Sequence, residues 1–283
     1  MKQFSFLRAV AGAAALAVLL AGCAVPQQGA APGSSTATQA AAPATPAIRQ
    51  VLAPTGVLRV AMYRGSPSSF VQAGPSDAPR GVGYDLGRAL AERLGVLFEP
   101  VVFANNAESL AAVKAGRADF TFTNGTPARA KDMDFSPGVL DVEKSVLVAG
   151  TSPLKALADL QRPGQRIGVS QGSSTAEELS PLYPQAKLLP VPTLQRAIAQ
   201  LQAGELDAFA TNNAILYEMG DQLPGSRVLP GRWGMEHFAV GIPKGRDAGR
   251  AFIADFVRQA SADGTVQRAV ARARLRGTVA PQP

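Results

Sequence analysis

Few side chains in this chain of 283 residues are placed for covalent chemistry, but several are placed to hold an anion. Thr126-Pro127-Ala128-Arg129 reads as a helix start, with Thr126 as N-cap and Pro127 at the first helical position. Arg129 then stands one turn in, where a guanidinium fork beside free backbone N–H groups suits a carboxylate held by two parallel bonds. The same spacing also allows a surface Arg129 paired with Asp132 or Asp134. Gln171-Gly172-Ser173-Ser174-Thr175-Ala176-Glu177 is a second candidate. There Gly172 lets backbone approach a ligand, Ser173 and Ser174 add hydroxyls, and Ser174 and Glu177 have capping-box spacing, which simple capping also explains. Tyr63 and Phe70 stand where an aromatic wall or a core would lie. One His and one Cys leave no Ser–His–Asp or Cys–His set except around His237. They also exclude a disulfide framework and a Cys-rich metal site. His237 and Trp233 precede the apolar run Phe238–Ile242 and suit hinge or buried roles. No catalytic residue, metal or cofactor is expected.

The elements that must position these groups come in repeated form. Arg59–Gly65 matches Arg166–Gly172, each a short apolar strand running into a polar turn closed by Gly. Val113–Asn124 matches Leu201–Asn212, with Ala, Gly, Asp, Thr and Asn at the same offsets. Each second stretch is a helix end, at Gly116 or Gly204, followed by a strand. Leu110 and Val113 share one helix face. Thr193 is an N-cap before the stripe Leu194, Ala197, Ile198 and Leu201. A further helix is predicted over 85–94, and Phe120 and Phe122 alternate with Thr121 and Thr123 as a strand. Alternating strands and helices imply an α/β chain with largely parallel sheet in two similar lobes. Ligands in such sheets sit outside the carboxyl ends of strands, which places Asn124 and Asn212 at equivalent positions facing one cleft.

The first fifty residues are not read as fold. Lys2 and Arg8 precede an apolar run to Leu20, followed by Leu20-Ala21-Gly22-Cys23. This is the form of an export signal, with no stretch of the ~18 apolar residues a spanning helix needs. The only Cys stands at its end and resembles the lipobox of bacterial lipoproteins. The resemblance implies a signal peptide over 1–22 with acylation of Cys23, palmitate included. The mature protein is then anchored to a membrane by lipid and exported to the periplasm. Ala24 carries no inner-membrane retention signal, so the outer membrane is preferred. Residues 23–50, rich in Ala, Pro, Gln, Ser and Thr, read as a flexible tether. Processing removes two basic and no acidic residues, so the net charge falls from +7 to +5. The remaining bases are scattered among acids, without a stripe interleaved with aromatics, which argues against nucleic acid as a partner.

Taken in order, these motifs resemble the extracellular solute-binding proteins of family 3, which serve amino-acid-type ABC transporters. The resemblance rests on Gly81–Leu90, Ala115–Asp119, Thr126–Lys131 with Asp134–Ser136, Asp159-Leu160 with Gly168–Ser173, and Ala262–Thr265. It implies the two-lobed type II periplasmic-binding-protein fold, each lobe a mostly parallel sheet flanked by helices, joined by two hinge strands. The crossings would lie near 145–150 and 238–242, making lobe one residues 54–147 plus 240–283 and lobe two 148–239. It also implies that Arg129 clamps a ligand carboxylate, assisted by Gly172, Ser173 and Ser174. The segment from Asp119 to Arg129 is about two residues shorter than the family's usual pattern. The hydroxyl and carbonyl contacts of Thr123, Asn124 and Thr126 are therefore placed only as a group. Where amino-acid binders carry an Asp for the ligand ammonium, five residues beyond Asp207, this chain has Asn212. An amide supplies no opposite charge, so Glu108, Asp85 or another acid would have to compensate. The resemblance implies a monomeric, membrane-tethered receptor. It would hand a carboxylate-bearing solute, an amino acid or related organic acid, to an ABC permease. Two alternatives stand beside it. One is a periplasmic dehydratase of the cyclohexadienyl type on the same fold, with Glu108 or Glu143 as its acid. The other is a ligand-sensing accessory lipoprotein.

Overall fold

The computed structural model describes residues 43–279; Cys23, the signal segment and most of the expected tether lie outside them. The described part of the expected tether is helical rather than extended. Thr45 Oγ1 accepts from the Ile48 amide and Pro46 takes the first turn, so helix α1 (Pro46–Leu52) forms within the span read as tether. Leu52 is buried against Gly249, where a Cβ would fall 2.4 Å from Leu52 Cδ2.

Lobe one opens with β1 (Val57–Tyr63), α2 (Val82–Leu94), β2 (Leu97–Phe103), α3 (Asn106–Lys114) and β3 (Phe120–Asn124). Helix α2 starts a turn before the expected Asp85. The short β4 (Met133–Phe135) and the long β5 (Leu140–Val148) lead out of it. The same series then recurs as β6 (Arg166–Ser170), α4 (Thr175–Leu179), β7 (Lys187–Val191), α5 (Leu194–Gln202) and β8 (Ala208–Asn212). After α6 (Asn213–Asp221) and β9 (Arg227–Val228), strand β10 (Gly234–Pro243) returns to lobe one. Helices α7 (Asp247–Ala262) and α8 (Thr265–Ala273) and strand β11 (Thr278–Val279) follow.

The strands form one continuous sheet, β2-β1-β3-β10-β5-β8-β6-β7, with β4, β9 and β11 added at its sides. Each lobe contributes a parallel trio with its first strand in the middle, β2-β1-β3 and β7-β6-β8. Each trio is extended by an antiparallel strand, β10 beside β3 and β5 beside β8, and these two pair with each other. The ladder between them runs from Leu140↔Phe238 to Lys144↔Gly234. The connection thus lies earlier in both strands than the expected crossings.

The sequence repeat has a physical counterpart. In lobe one, Arg59 places Nε and Nη2 on the Asp119 carboxylate at 2.8 and 2.9 Å and donates to the Gly116 carbonyl. In lobe two, Arg166 does the same with Asp207 at 3.1 and 2.7 Å and with the Gly204 carbonyl. Each Arg thereby ties the head of a lobe's first strand to the end of the helix before its third. Apolar packing divides along the same line. One core gathers Phe120, Phe122, Phe238, Ile253 and Phe256, and lobe two packs around Phe209, Leu216 and Ile198 on one face and Val146, Ile167 and Leu160 on the other.

Candidate functional site

The carboxyl ends of β1, β3, β6 and β8 converge where the lobes meet. Arg129 opens a single 3-10 turn, Arg129–Lys131, rather than the expected α-helix. Thr126 Oγ1 still caps it, accepting from the Arg129 amide at 3.3 Å. Neither acid that competed for Arg129 takes it: Asp132 pairs with Lys114 and Asp134 with Lys244. The guanidinium turns inward instead, donating through Nη1 to Thr123 Oγ1 at 2.8 Å and the Asn124 carbonyl at 3.0 Å. Through Nη2 it reaches the Gly172 carbonyl of lobe two at 3.1 Å. Burial pushes its pKa below the ordinary value, and Glu236 first, then the Tyr63 phenol, Glu178 and Glu177, oppose that shift. A half-buried cation bonded only to neutral groups gains from an anion brought to it.

Gly172 brings the first turn of lobe two close against α3 of lobe one. Its φ of +76° lies in the left-handed region, and a Cβ there would fall 2.5 Å from Ala107 Cβ and 2.6 Å from Ala107 N. Its carbonyl accepts from Arg129 and from Asn106 Nδ2 at 3.1 Å. The serines beside it behave differently from expectation. Ser173 Oγ folds back onto the Ser170 carbonyl at 2.7 Å and is spent as a donor there. Ser174 makes no side-chain cap; its hydroxyl meets Asn124 Nδ2 across the cleft at 3.3 Å.

Asn124 and Asn212 keep the equivalence the repeat gave them. Each uses its amide oxygen on a backbone N–H, that of His237 for Asn124 and that of Ile215 for Asn212. Each points its amide nitrogen elsewhere, Asn124 to Ser174 and Asn212 to Glu236 Oε2 at 2.5 Å. Tyr63 also reaches the cleft. Burial first, then Glu236, pushes its phenol up to about 12, while bonds to Ser66 and Ser68 and the charge of Arg129 pull the other way. Phe70 does not join it. This side chain is 4% exposed, packs in the lobe-one core and lies 6.0 Å from the Tyr84 ring, so it is no ligand wall in this arrangement.

A cavity of about 360 Å³ opens on the cleft between Thr126, Arg129 and Asp132 on one side and Gly172, Ser174 and Glu177 on the other. A larger cavity of about 630 Å³ lies on the outer face of lobe two, between α6 and the segment Ser226–Arg232, and holds none of these groups. The acids first considered for the cleft are engaged elsewhere. Glu108 caps the start of α3, binding the Ala104 amide and Asn105 Nδ2. Asp85 is held by Arg272, and Glu143 by Arg232 beside the outer cavity. His237 is exposed and bound to Asp141 at 2.8 Å, and Trp233 donates to the Ser145 carbonyl. Two polar groups in the cleft escaped sequence reasoning. Lys144 of β5 is 1% exposed and meets both oxygens of Glu178, at 2.8 and 2.7 Å. Glu236 of β10 carried no spacing signal, because its partners lie in other elements.

Comparison with known proteins agrees with this geometry. The family profile of the bacterial extracellular solute-binding proteins, family 3, matches residues 58–273. The chain is 31% identical over 119 residues to the glutamine-binding protein of Geobacillus stearothermophilus, covering 42% of this chain and 45% of that one. It is 27% identical over 139 residues to the ABC transporter glutamine-binding protein GlnH of Bacillus subtilis, covering 49% and 50%. Each match thus spans about half the length of the relative. The fold is similar to that of an amino acid ABC transporter substrate-binding protein from Streptococcus pneumoniae bound to L-arginine. The TM-score is 0.71 at 19% identity, over 79% of this chain and 97% of that one. The architecture is the type II periplasmic-binding-protein fold. With the profile matched across most of its described length and the fold shared, the chain belongs to the bacterial extracellular solute-binding proteins of family 3.

Proposed function

We propose that this protein is an extracytoplasmic receptor that captures a small carboxylate-bearing solute, an amino acid or close relative, between its lobes and delivers it to an ABC permease. The observation that carries this is Arg129. Among the described residues it pairs with no acid, is oriented by Thr123 and Asn124 of lobe one, and reaches the carbonyl of lobe two's first turn. A carboxylate bound there completes the charge balance of a half-buried guanidinium and favours closure at the same time. The glutamine and arginine named for the relatives and the similar structure support amino acids as the first class to test. Anchoring through acylated Cys23, on the outer membrane and with a tether shortened to about 23–42, belongs to the same proposal. Replacing Cys23 by Ser then releases the protein from membranes on fractionation.

The test is a thermal-shift and calorimetric screen of the common L-amino acids and organic acids. Ligand at 100 times its Kd stabilises the native state by about 2.7 kcal/mol. That corresponds to a rise of roughly 5–10 °C in Tm for a domain of this size. Arg129→Ala removes two charge-assisted bonds of about 1.5–3 kcal/mol each and raises Kd by at least about 100-fold. A variant that binds as tightly as the parent rules out the clamp.

A further inference from the structure

The ammonium of an amino-acid ligand needs an acid, and Asn212 stands where one is expected. The structure closes this gap from another element. Asn212 Oδ1 accepts from the Ile215 amide at 3.1 Å, where it caps α6, and as a neutral amide oxygen it brings no charge to a ligand ammonium. Its Nδ2 is turned onto Glu236 Oε2 at 2.5 Å. Glu236 belongs to β10, which comes from the opposite side of β5. Asn212 pairs in register with Lys144, and Glu236 pairs with Val142 two residues away on the same strand. Residues two apart on a strand share a face, so Asn212, Lys144 and Glu236 stand on one face of the sheet.

Lys144 does not neutralise Glu236. Its ammonium is held by both oxygens of Glu178 and lies 5.3 Å from the Trp233 ring centre. Among the described residues Glu236 makes no ion pair; its only side-chain partner is the Asn212 amide. Its carboxylate meets Asn212 at the end of β8, and the next residue, His237, donates its amide to Asn124 at the end of β3, so Glu236 stands between the two strand ends that border the cleft. The cleft therefore contains one unpaired cation from lobe one and one half-buried unpaired anion from the connecting strands, the charge pattern of a zwitterion reversed.

We propose that Glu236 receives the ammonium of the ligand and that Asn212 is its positioning residue. This rests on the amino-acid reading of the site. An Asp at 212 and a Glu at 236 would set two carboxylates within hydrogen-bond distance, each raising the cost of ionising the other. The amide at 212 is what allows the charge to reside at 236. Glu177 is the competing acid. It lines the cavity mouth beside Arg129, but it is exposed.

The experiment measures, by calorimetry at neutral pH, binding of L-glutamine and L-arginine against their deaminated counterparts, 4-carbamoylbutanoate and 5-guanidinopentanoate. The parent is expected to prefer an amino acid over its deaminated form by at least about tenfold. Glu236→Gln, which keeps a partner for the Asn212 amide, is expected to erase that preference and leave binding of the deaminated acid within about threefold. Asn212→Asp is expected to weaken the amino acid, and the double variant Asn212→Asp with Glu236→Gln to restore it to within a few-fold of the parent. Arg129→Ala lowers both ligand classes together, which separates failure of the carboxylate clamp from failure of this assignment. A preference that survives Glu236→Gln, or that disappears with Glu177→Gln instead, overturns the role of Glu236. Equal binding of amino and deaminated acids by the parent overturns it while leaving the clamp intact. Failure of the parent to bind any of the four probes overturns it for these amino acids.

Discussion

Asp119 and Asp207 show what single residues do for each lobe. Asp119 is completely buried and takes Arg59 through two nitrogens, Arg246 through a third at 2.7 Å, and the Arg59 amide. Asp207 has only Arg166 and its amide, and 29% of its side chain is exposed. Removing one partner from a buried ion network costs roughly 3–5 kcal/mol, while exposed pairs are worth little. Asp119→Ala is therefore expected to shift the urea midpoint strongly and Asp207→Ala weakly; equal shifts contradict the burial argument. The bond to Arg166 holds the Asp207 carboxyl below its ordinary value. Its contribution is present above that value and is lost as pH falls through the lower folded one, so Asp207→Asn flattens only the acid limb of stability. Tyr63 behaves in the opposite sense. With its phenol at about 12, it stays a neutral donor through physiological pH. The stability its protonated form contributes is lost only as pH rises from about 10 towards 12. Ultraviolet titration should show Tyr63→Phe removing one late-ionising tyrosine of the four. At this scale the sequence revealed Arg129, Asn124 and Asn212, because each sits at a turn or strand end with a readable pattern. Glu236 and Lys144 were hidden, since strands β5 and β10 join them to partners tens of residues away.

Among the elements, the turn after β6 carries a contact between the lobes through Gly172. The strands and helices of both repeats were legible from apolar spacing and from caps such as Thr193, which accepts from the Arg196 amide at 3.1 Å. The turn after β3 was misread as an α-helix. Its capping signal at Thr126 is genuine, but the chain is drawn into β4, where Asp134 and Phe135 pair with Ile242 and Gly241. Phe70 was misread for a related reason: no pattern distinguishes an aromatic wall from a core ring when Tyr84 lies fourteen positions further on. The turn after β6 carries the next prediction. Gly172→Ala adds a Cβ that meets the Ala107 backbone, which cannot move aside as a flexible side chain can. The left-handed φ adds roughly 1–2 kcal/mol of strain. The variant is expected to fold, to bind ligand at least about tenfold more weakly, and to keep a larger radius of gyration by small-angle scattering at saturating ligand. Normal compaction on binding would show that this contact does not govern closure.

For the whole molecule, the basic charge is dispersed into local pairs. Arg93 is held by Asp255, Arg272 by Asp85, Arg276 by Asp221 and Arg80 by Glu218. Among the described residues, Arg129 and Glu236 by contrast make no ion pair. The two-lobed plan was legible because the repeat is written in Gly, Asp and Asn at fixed offsets. The path of the connection was less so, because a strand buried on both faces gives no periodicity to show where one lobe ends.

That path also determines the order in which the chain can acquire structure. Lobe two is built from one uninterrupted stretch, so its contacts are available as soon as α6 and β9 have emerged. Lobe one borrows β10 as the neighbour of β3 and α7 and α8 as its cover, all from the far end of the chain. Until these arrive, Phe122 lacks the Phe238 ring it stacks on at 5.2 Å, and the lobe-one core stays incomplete. The lobe that begins first is therefore completed last, across a loop closure of more than a hundred residues, which makes folding slow. For a chain made from its N terminus, loss of the last helices would leave lobe one open to proteolysis while lobe two survived intact.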